Sequence, residues 1–109
     1  MYNYTGWIVR ARAGRDKDGI FCVVGVDPEQ NRLLLADGKR RKVSHPKRKK
    51  LGHVWCLSPD PHQAGPREQL IYDHPVVHSL RQGEPVSDRA LRRALAAFKG
   101  GNHTWQRTI

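Results

Sequence analysis

From residue 6 to residue 57 every apolar run is stopped by a turn signal before it is long enough to make a helix, and that punctuation limits what the stretch can become. Residues 6–12 alternate. Trp7, Val9 and Ala11 fall on one side and Ile8, Arg10 and Arg12 on the other, the period-two pattern of a strand. Residues 14–19 form a loop, with glycine at both ends and charges of alternating sign between. Residues 20–26, Ile-Phe-Cys-Val-Val-Gly-Val, carry the strongest strand signal in the chain. Pro28 and Asn31 mark a turn over residues 27–31. Residues 32–36 predict a third strand. Asp37-Gly38 then predicts a type I′ hairpin turn, which needs positive φ at both positions, and residues 39–43 a fourth strand. His45-Pro46 interrupts, and a short fifth strand is predicted around His53, Val54 and Trp55. Short strands joined by tight turns point to a mainly β fold, a small antiparallel barrel that removes its open edges by closing on itself.

The charge is concentrated in the same region. The 109 residues carry a net charge of +10. Residues 1–30 hold four basic and four acidic residues, net zero; residues 31–53 hold nine basic and one acidic, net +8; residues 54–109 hold seven and five, net +2. Like charges this dense repel one another and favour a polyanion nearby. The densest part is residues 37–50, where eight of fourteen side chains are Lys or Arg. It contains two clusters: Lys39, Arg40, Arg41 and Lys42, then Lys47, Arg48, Lys49 and Lys50. On a strand, the members of the first cluster alternate between two faces and cannot all meet one ligand. The second follows Pro46 and is expected to be freer to track a phosphate backbone, together with Arg15 and Lys17 of the first loop. His45 and His53 flank the run and can add to its phosphate contacts when protonated.

Beyond residue 57 the composition shifts. Residues 58–66 hold three prolines and a glycine, and read as a linker between a barrel at residues 1–57 and a helical extension at residues 67–109. Asp73 is placed to cap a short helix over residues 74–82, with Gly83 ending it. Ser87 is placed to cap a second helix over residues 88–99, with Leu91, Ala94, Leu95 and Phe98 in an apolar stripe and Arg89, Arg92 and Arg93 on the other side. Gly100-Gly101 stops it. The stripe is expected to pack back on the barrel or on the preceding helix; its alternative is a protein partner, met through Leu91, Leu95 and Phe98. Trp105 has no assigned place.

Apolar residues make up 38% of the chain, enough for a thin core. No apolar run approaches the roughly 18 residues of a membrane span, so no membrane partner is expected. Cys22 and Cys56 form no Cys-x-x-Cys pair, and both thiols are expected free in a reducing, cytoplasmic compartment. His74 and His78 stand four apart, a spacing that can serve a metal, but no third ligand accompanies them. There is no Gly-x-Ser-x-Gly and no phosphate-binding glycine loop. Asp16 and Asp18 are interleaved with Arg15 and Lys17 and read as a charge-satisfied turn. The expectation is a protein without catalysis, metal, cofactor or small-molecule substrate. Trp7 and Trp55 are expected in the core, with base stacking as their alternative.

Several separated blocks between residues 6 and 50 narrow the reading. They are Gly-Trp-Ile-Val-Arg-Ala-Arg-Ala-Gly-Arg-Asp-Lys, then Phe-Cys-Val-Val, then Leu-Leu-Ala-Asp-Gly-Lys-Arg-Arg-Lys-Val-Ser-His-Pro-Lys-Arg-Lys-Lys. Together they resemble bacterial KOW-domain RNA-binding proteins, similar to the archaeal and eukaryotic large-subunit ribosomal protein fourteen-e family. The resemblance implies an SH3-like five-stranded barrel, binding to ribosomal or other structured RNA, and association with the ribosome. It gives Gly14 as the motif's glycine and Arg15 and Lys17 as the loop's basic positions. It departs at Asp18, where the family has glycine; Asp tolerates left-handed backbone better than most residues.

The expected RNA-binding set is therefore Gly14, Arg15, Lys17, Lys39, Arg40, Arg41, Lys42, Lys47, Arg48, Lys49 and Lys50. Two other partners fit the same charge. One is a protein of the ribosome or transcription machinery with an acidic surface, and the other is DNA bound without sequence preference.

Overall fold

The computed structural model describes residues 2–57 and 75–100, the last four of these as backbone only. The linker expected at 58–66, the Asp73 cap, His74, Trp105 and the Phe98 side chain lie outside the described residues.

The fold is mainly β. Five strands, β1 (Ile8–Ala11), β2 (Ile20–Asp27), β3 (Arg32–Ala36), β4 (Lys47–Lys50) and β5 (Val54–Cys56), form one open antiparallel sheet in the order β4-β3-β2-β1-β5. Among the described residues two helices follow, α1 (Pro75–Arg81) and α2 (Asp88–Gly100).

Strand alternation divides the apolar residues between the two faces. Val9, Ala11, Phe21, Val23, Leu33, Leu35 and Val54 build one core. Ile8, Cys22 and Ala36 point the other way. They are paired partners across β1, β2 and β3, and so make a continuous row. With Leu57 they receive Val76 and Leu80 of α1 and Leu91 and Leu95 of α2. The apolar stripe of α2 thus covers a sheet face. Alternation also explains why β2 is apolar on successive residues: both its faces are buried.

Helix boundaries follow local chemistry. The Ser87 hydroxyl accepts the Ala90 N–H at 3.1 Å, capping α2. Gly83, at φ 76°, ends α1; its N–H reaches Leu80 O and the Glu84 N–H reaches Ser79 O, satisfying carbonyls the helix leaves open. Asp18 takes the left-handed conformation at φ 68°, as its place in the first loop requires, and Gly14 does so at φ 86°.

The fourth strand is not where the sequence pattern put it. Residues 39–43 are an irregular loop, and the strand is Lys47–Lys50, pairing with β3 from Leu35↔Lys47 to Arg32↔Lys50. The cause is Asp37. Its carboxylate accepts the N–H groups of Lys39 and Arg41, both at 2.9 Å. The N–H groups of Asp37 and Gly38 both reach Arg41 O at 3.0 Å. These local bonds take up backbone groups that a ladder would need. The turn is not type I′ either, since Gly38 has positive φ (79°) and Asp37 does not. Gly38 is required for a second reason: a Cβ there would collide with the Asp88 carbonyl at the start of α2.

Candidate nucleic-acid interface

The basic residues are organised by one buried acid. Asp16, in the loop between β1 and β2, is 4% exposed. Its carboxylate accepts two hydrogen bonds from Arg41, from Nε at 3.1 Å and Nη2 at 2.7 Å, with Arg40 at 4.0 Å. Both donors converge on the one oxygen Oδ2, a charge-assisted contact that orients the guanidinium through two of its N–H groups. Burial by itself would raise the Asp16 pKa. The hydrogen bonds and charge of Arg41, with the charges of Arg40 and Lys47, outweigh it and hold the carboxyl below its ordinary value. Asp16 is therefore satisfied across 25 residues of sequence rather than by Arg15 and Lys17, which its loop leaves exposed.

The same contact draws three basic stretches to one end of the sheet. The exposed Arg15 and Lys17 flank Asp16; Arg40 and Arg41 meet it from the loop after β3; Lys47 acts on it from the start of β4. Two contacts from α2 hold the second loop in place. The Asp88 carboxylate accepts the Val43 N–H at 2.7 Å, and Arg92 donates to Gly38 O at 2.7 Å. Lys39 and Lys42, on either side of the anchored Arg41, stay exposed, and Arg40 keeps 61% of its side chain exposed.

The second cluster is divided by strand alternation. Lys49 points inward, is 9% exposed, and gives its ammonium to Ala13 O at 2.7 Å. It ties β4 to the first loop, and its charge is engaged there. Arg48 and Lys50 point outward; Arg48 pairs with Asp27 at 2.9 Å, and Lys50 is exposed beside Arg32 of β3. The expectation that residues 47–50 are free to track a phosphate backbone is thus corrected: they are a paired strand, and one of their four cations is buried. Gly14 is exposed beside Lys49, whose Nζ would lie 3.0 Å from a Cβ added there.

Trp7 and Trp55 have different surroundings. Trp7 is packed, with Tyr4, against the core that holds Val9, Phe21 and Leu33. Trp55 is half-buried, with the Arg10 guanidinium 4.4 Å and the Arg12 guanidinium 5.3 Å from its ring centre. These stacked arginines add positive charge on the β1–β5 side that the charge pattern alone did not assign to the interface. Their common face was the available signal. The supporting contacts of Asp88 and Arg92 had none, since they act across 45 and 54 residues.

Burial pushes the Cys22 thiol up to about 12, and raises that of Cys56 as well, so both stay protonated at neutral pH. Among the described residues no three His, Cys, Asp or Glu side chains gather as a metal site, and no helix is long and apolar enough to cross a membrane.

No protein-family model matches this chain, and no curated protein matches it. Residues and their geometry therefore carry the functional reading.

Proposed function

We propose that this chain is a KOW-type RNA-binding protein, with structured RNA, ribosomal RNA foremost, as its partner. The observation that carries the reading is the convergence of the first loop, the loop after β3 and the start of β4 on buried Asp16. One carboxylate anchors Arg41 and leaves Arg15, Lys17, Lys39, Arg40 and Lys42 exposed on held loops. Cations on a held loop leave less backbone to order on meeting phosphates than cations on a free tail. Arg adds two-pronged phosphate contacts, and Lys adds point charge.

The fold reading under this proposal is an SH3-like barrel. Strand order supports it: β1 to β4 follow one another as a meander, and β5 returns to pair with β1. The 3-10 turn Leu51–His53 makes that return. One core that draws residues from all strands but β4, with the buried Lys49 of β4 reaching Ala13 O in the first loop, fits a rolled sheet. Positive φ at Gly14 and Asp18 supports the tight first loop that the KOW resemblance implies.

The test replaces Arg15, Lys17, Lys39 and Lys42 with Ala in the full chain and follows binding to a structured ribosomal RNA fragment across a salt series. Affinity should fall, and the slope of log K against log salt should flatten by about 0.7–0.9 for each phosphate no longer neutralised. Unchanged affinity and slope would refute the interface. Equal competition by duplex DNA at the same salt would replace RNA selectivity with nonspecific nucleic-acid binding.

A further inference from the structure

At the other end of β3 and β4 lies a feature that the Asp16 cluster does not use. An open cleft of about 480 Å³ is lined by Tyr2, Tyr4, Asn31, Arg32, Lys50 and Leu51. Tyr2 and Leu51 are the large apolar side chains that the described residues leave exposed, at 45% and 37%, and both line this one cleft. Exposed apolar side chains scattered singly need no explanation; two gathered in a concavity do.

The aromatic wall is held in place. Tyr2 meets Tyr4 edge-on, with ring centres 4.9 Å apart and planes at 77°, and meets Trp7 at 6.0 Å and 71°. Tyr4 meets Trp7 at 5.0 Å and 86°, and both pack on the core that holds Val9, Phe21 and Leu33. On the cationic wall Arg32 is held as well. Arg32 Nη1 donates to Gln30 O at 2.7 Å, and Lys50 stands opposite Arg32 in the β3–β4 register. Among the described residues no acidic side chain lines the cleft.

A fixed aromatic ring, two cations and a volume within the small-ligand range suit a base with its phosphate. The cleft continues the basic run, because Lys50 is the run's last residue and shares the outward face of β4 with Arg48. Charge complementarity thus favours a polyanion over an uncharged peptide as the occupant. We propose that this cleft stacks an unpaired base of single-stranded RNA on Tyr2, with Lys50 on an adjacent phosphate. The inference rests on the RNA-binding reading and adds to it a second contact region, specific for unpaired nucleotides.

The experiment is fluorescence anisotropy of the full chain with a labelled single-stranded RNA octamer and with the same octamer made abasic. Tyr2→Ala should weaken binding of the intact octamer by about 5- to 100-fold while leaving its salt slope unchanged. The abasic octamer should bind the unaltered chain no better than the intact octamer binds Tyr2→Ala. Lys50→Ala should lower the slope by about 0.7. Tyr2 is 45% exposed, so its replacement leaves the core intact. The cleft assignment is overturned if Tyr2→Ala changes octamer affinity by less than about twofold, or if the abasic and intact octamers bind alike. If structured RNA still binds through Arg15, Lys17, Lys39 and Lys42 in that case, only the cleft has failed. If the unaltered chain binds no RNA, the functional reading fails with it.

Discussion

Residues 39–42 and residues 47–50 have nearly the same composition, Lys-Arg-Arg-Lys against Lys-Arg-Lys-Lys, and opposite structural fates. The first is an irregular loop held by carboxylates: Asp37 takes two of its backbone N–H groups, Asp16 takes Arg41, and Asp88 takes the nearby Val43 N–H. The second is a regular edge strand. It buries Lys49, pairs Arg48 with Asp27 and leaves Lys50 exposed. Irregular backbone therefore does not mean free charge to be ordered later, and regular backbone does not mean available charge. The loop presents Lys39, Arg40 and Lys42 because other residues hold its backbone. The strand gives up one of its four cations to the interior because alternation demands it.

The sharpest way to break this contrast is to detach the loop from α2. Gly38→Val puts side-chain atoms where the Asp88 carbonyl lies and forces a β-branched residue to φ 79°. Left-handed strain and overpacking each cost about 1–3 kcal/mol, so a destabilisation of about 2–6 kcal/mol is expected. Urea unfolding measures it. A midpoint within error of the unaltered chain would mean that the loop does not depend on its seat against α2.

The Asp16–Arg41 pair comes next. Asp16→Asn removes the charge and leaves Arg41 without its carboxylate, at a cost of about 1–3 kcal/mol. The pH dependence has a definite sign. The folded pKa of Asp16 lies below its ordinary value of 3.8, so the unfolded chain binds the proton more tightly. The stabilisation is complete above about pH 5 and is lost progressively as pH falls through the ordinary value to the lower, folded pKa. Unfolding midpoints from pH 7 down to pH 2 should show a steeper acid decline for the unaltered chain than for Asp16→Asn. Parallel curves would place the acid sensitivity elsewhere.

Much of the fold could be read from local pattern. The apolar run of β2 and the alternation of β1 specified strands, and Ser87 with Leu91 and Leu95 specified a capped amphipathic helix. Asp18 could be read as left-handed because Asp tolerates that backbone better than most residues and stands in a tight loop. Which basic cluster would form the strand could not be read. Both clusters lack an apolar face, and the choice is made by Asp37 locally and by Asp16 and Asp88 from far along the chain. The same distance hid the union of the first loop with the second. Sequence charge located the basic region, but only tertiary contacts sorted its cations into anchors and exposed groups.

The smallest expected effect tests that sorting within one strand. Lys49→Met keeps the methylene packing of a side chain that is 9% exposed and removes the ammonium from Ala13 O. The missing hydrogen bond and the relief of burying a charge oppose each other, so stability should change by less than about 1 kcal/mol. Its salt slope for structured RNA should not change, because this ammonium faces the protein and releases no counterion from RNA. A slope lowered by about 0.7 in Lys49→Met would show that the side chain turns outward to meet phosphate. The strand would then bury none of its cations, and Arg48, paired with Asp27, would be the one of the four that a carboxylate engages directly.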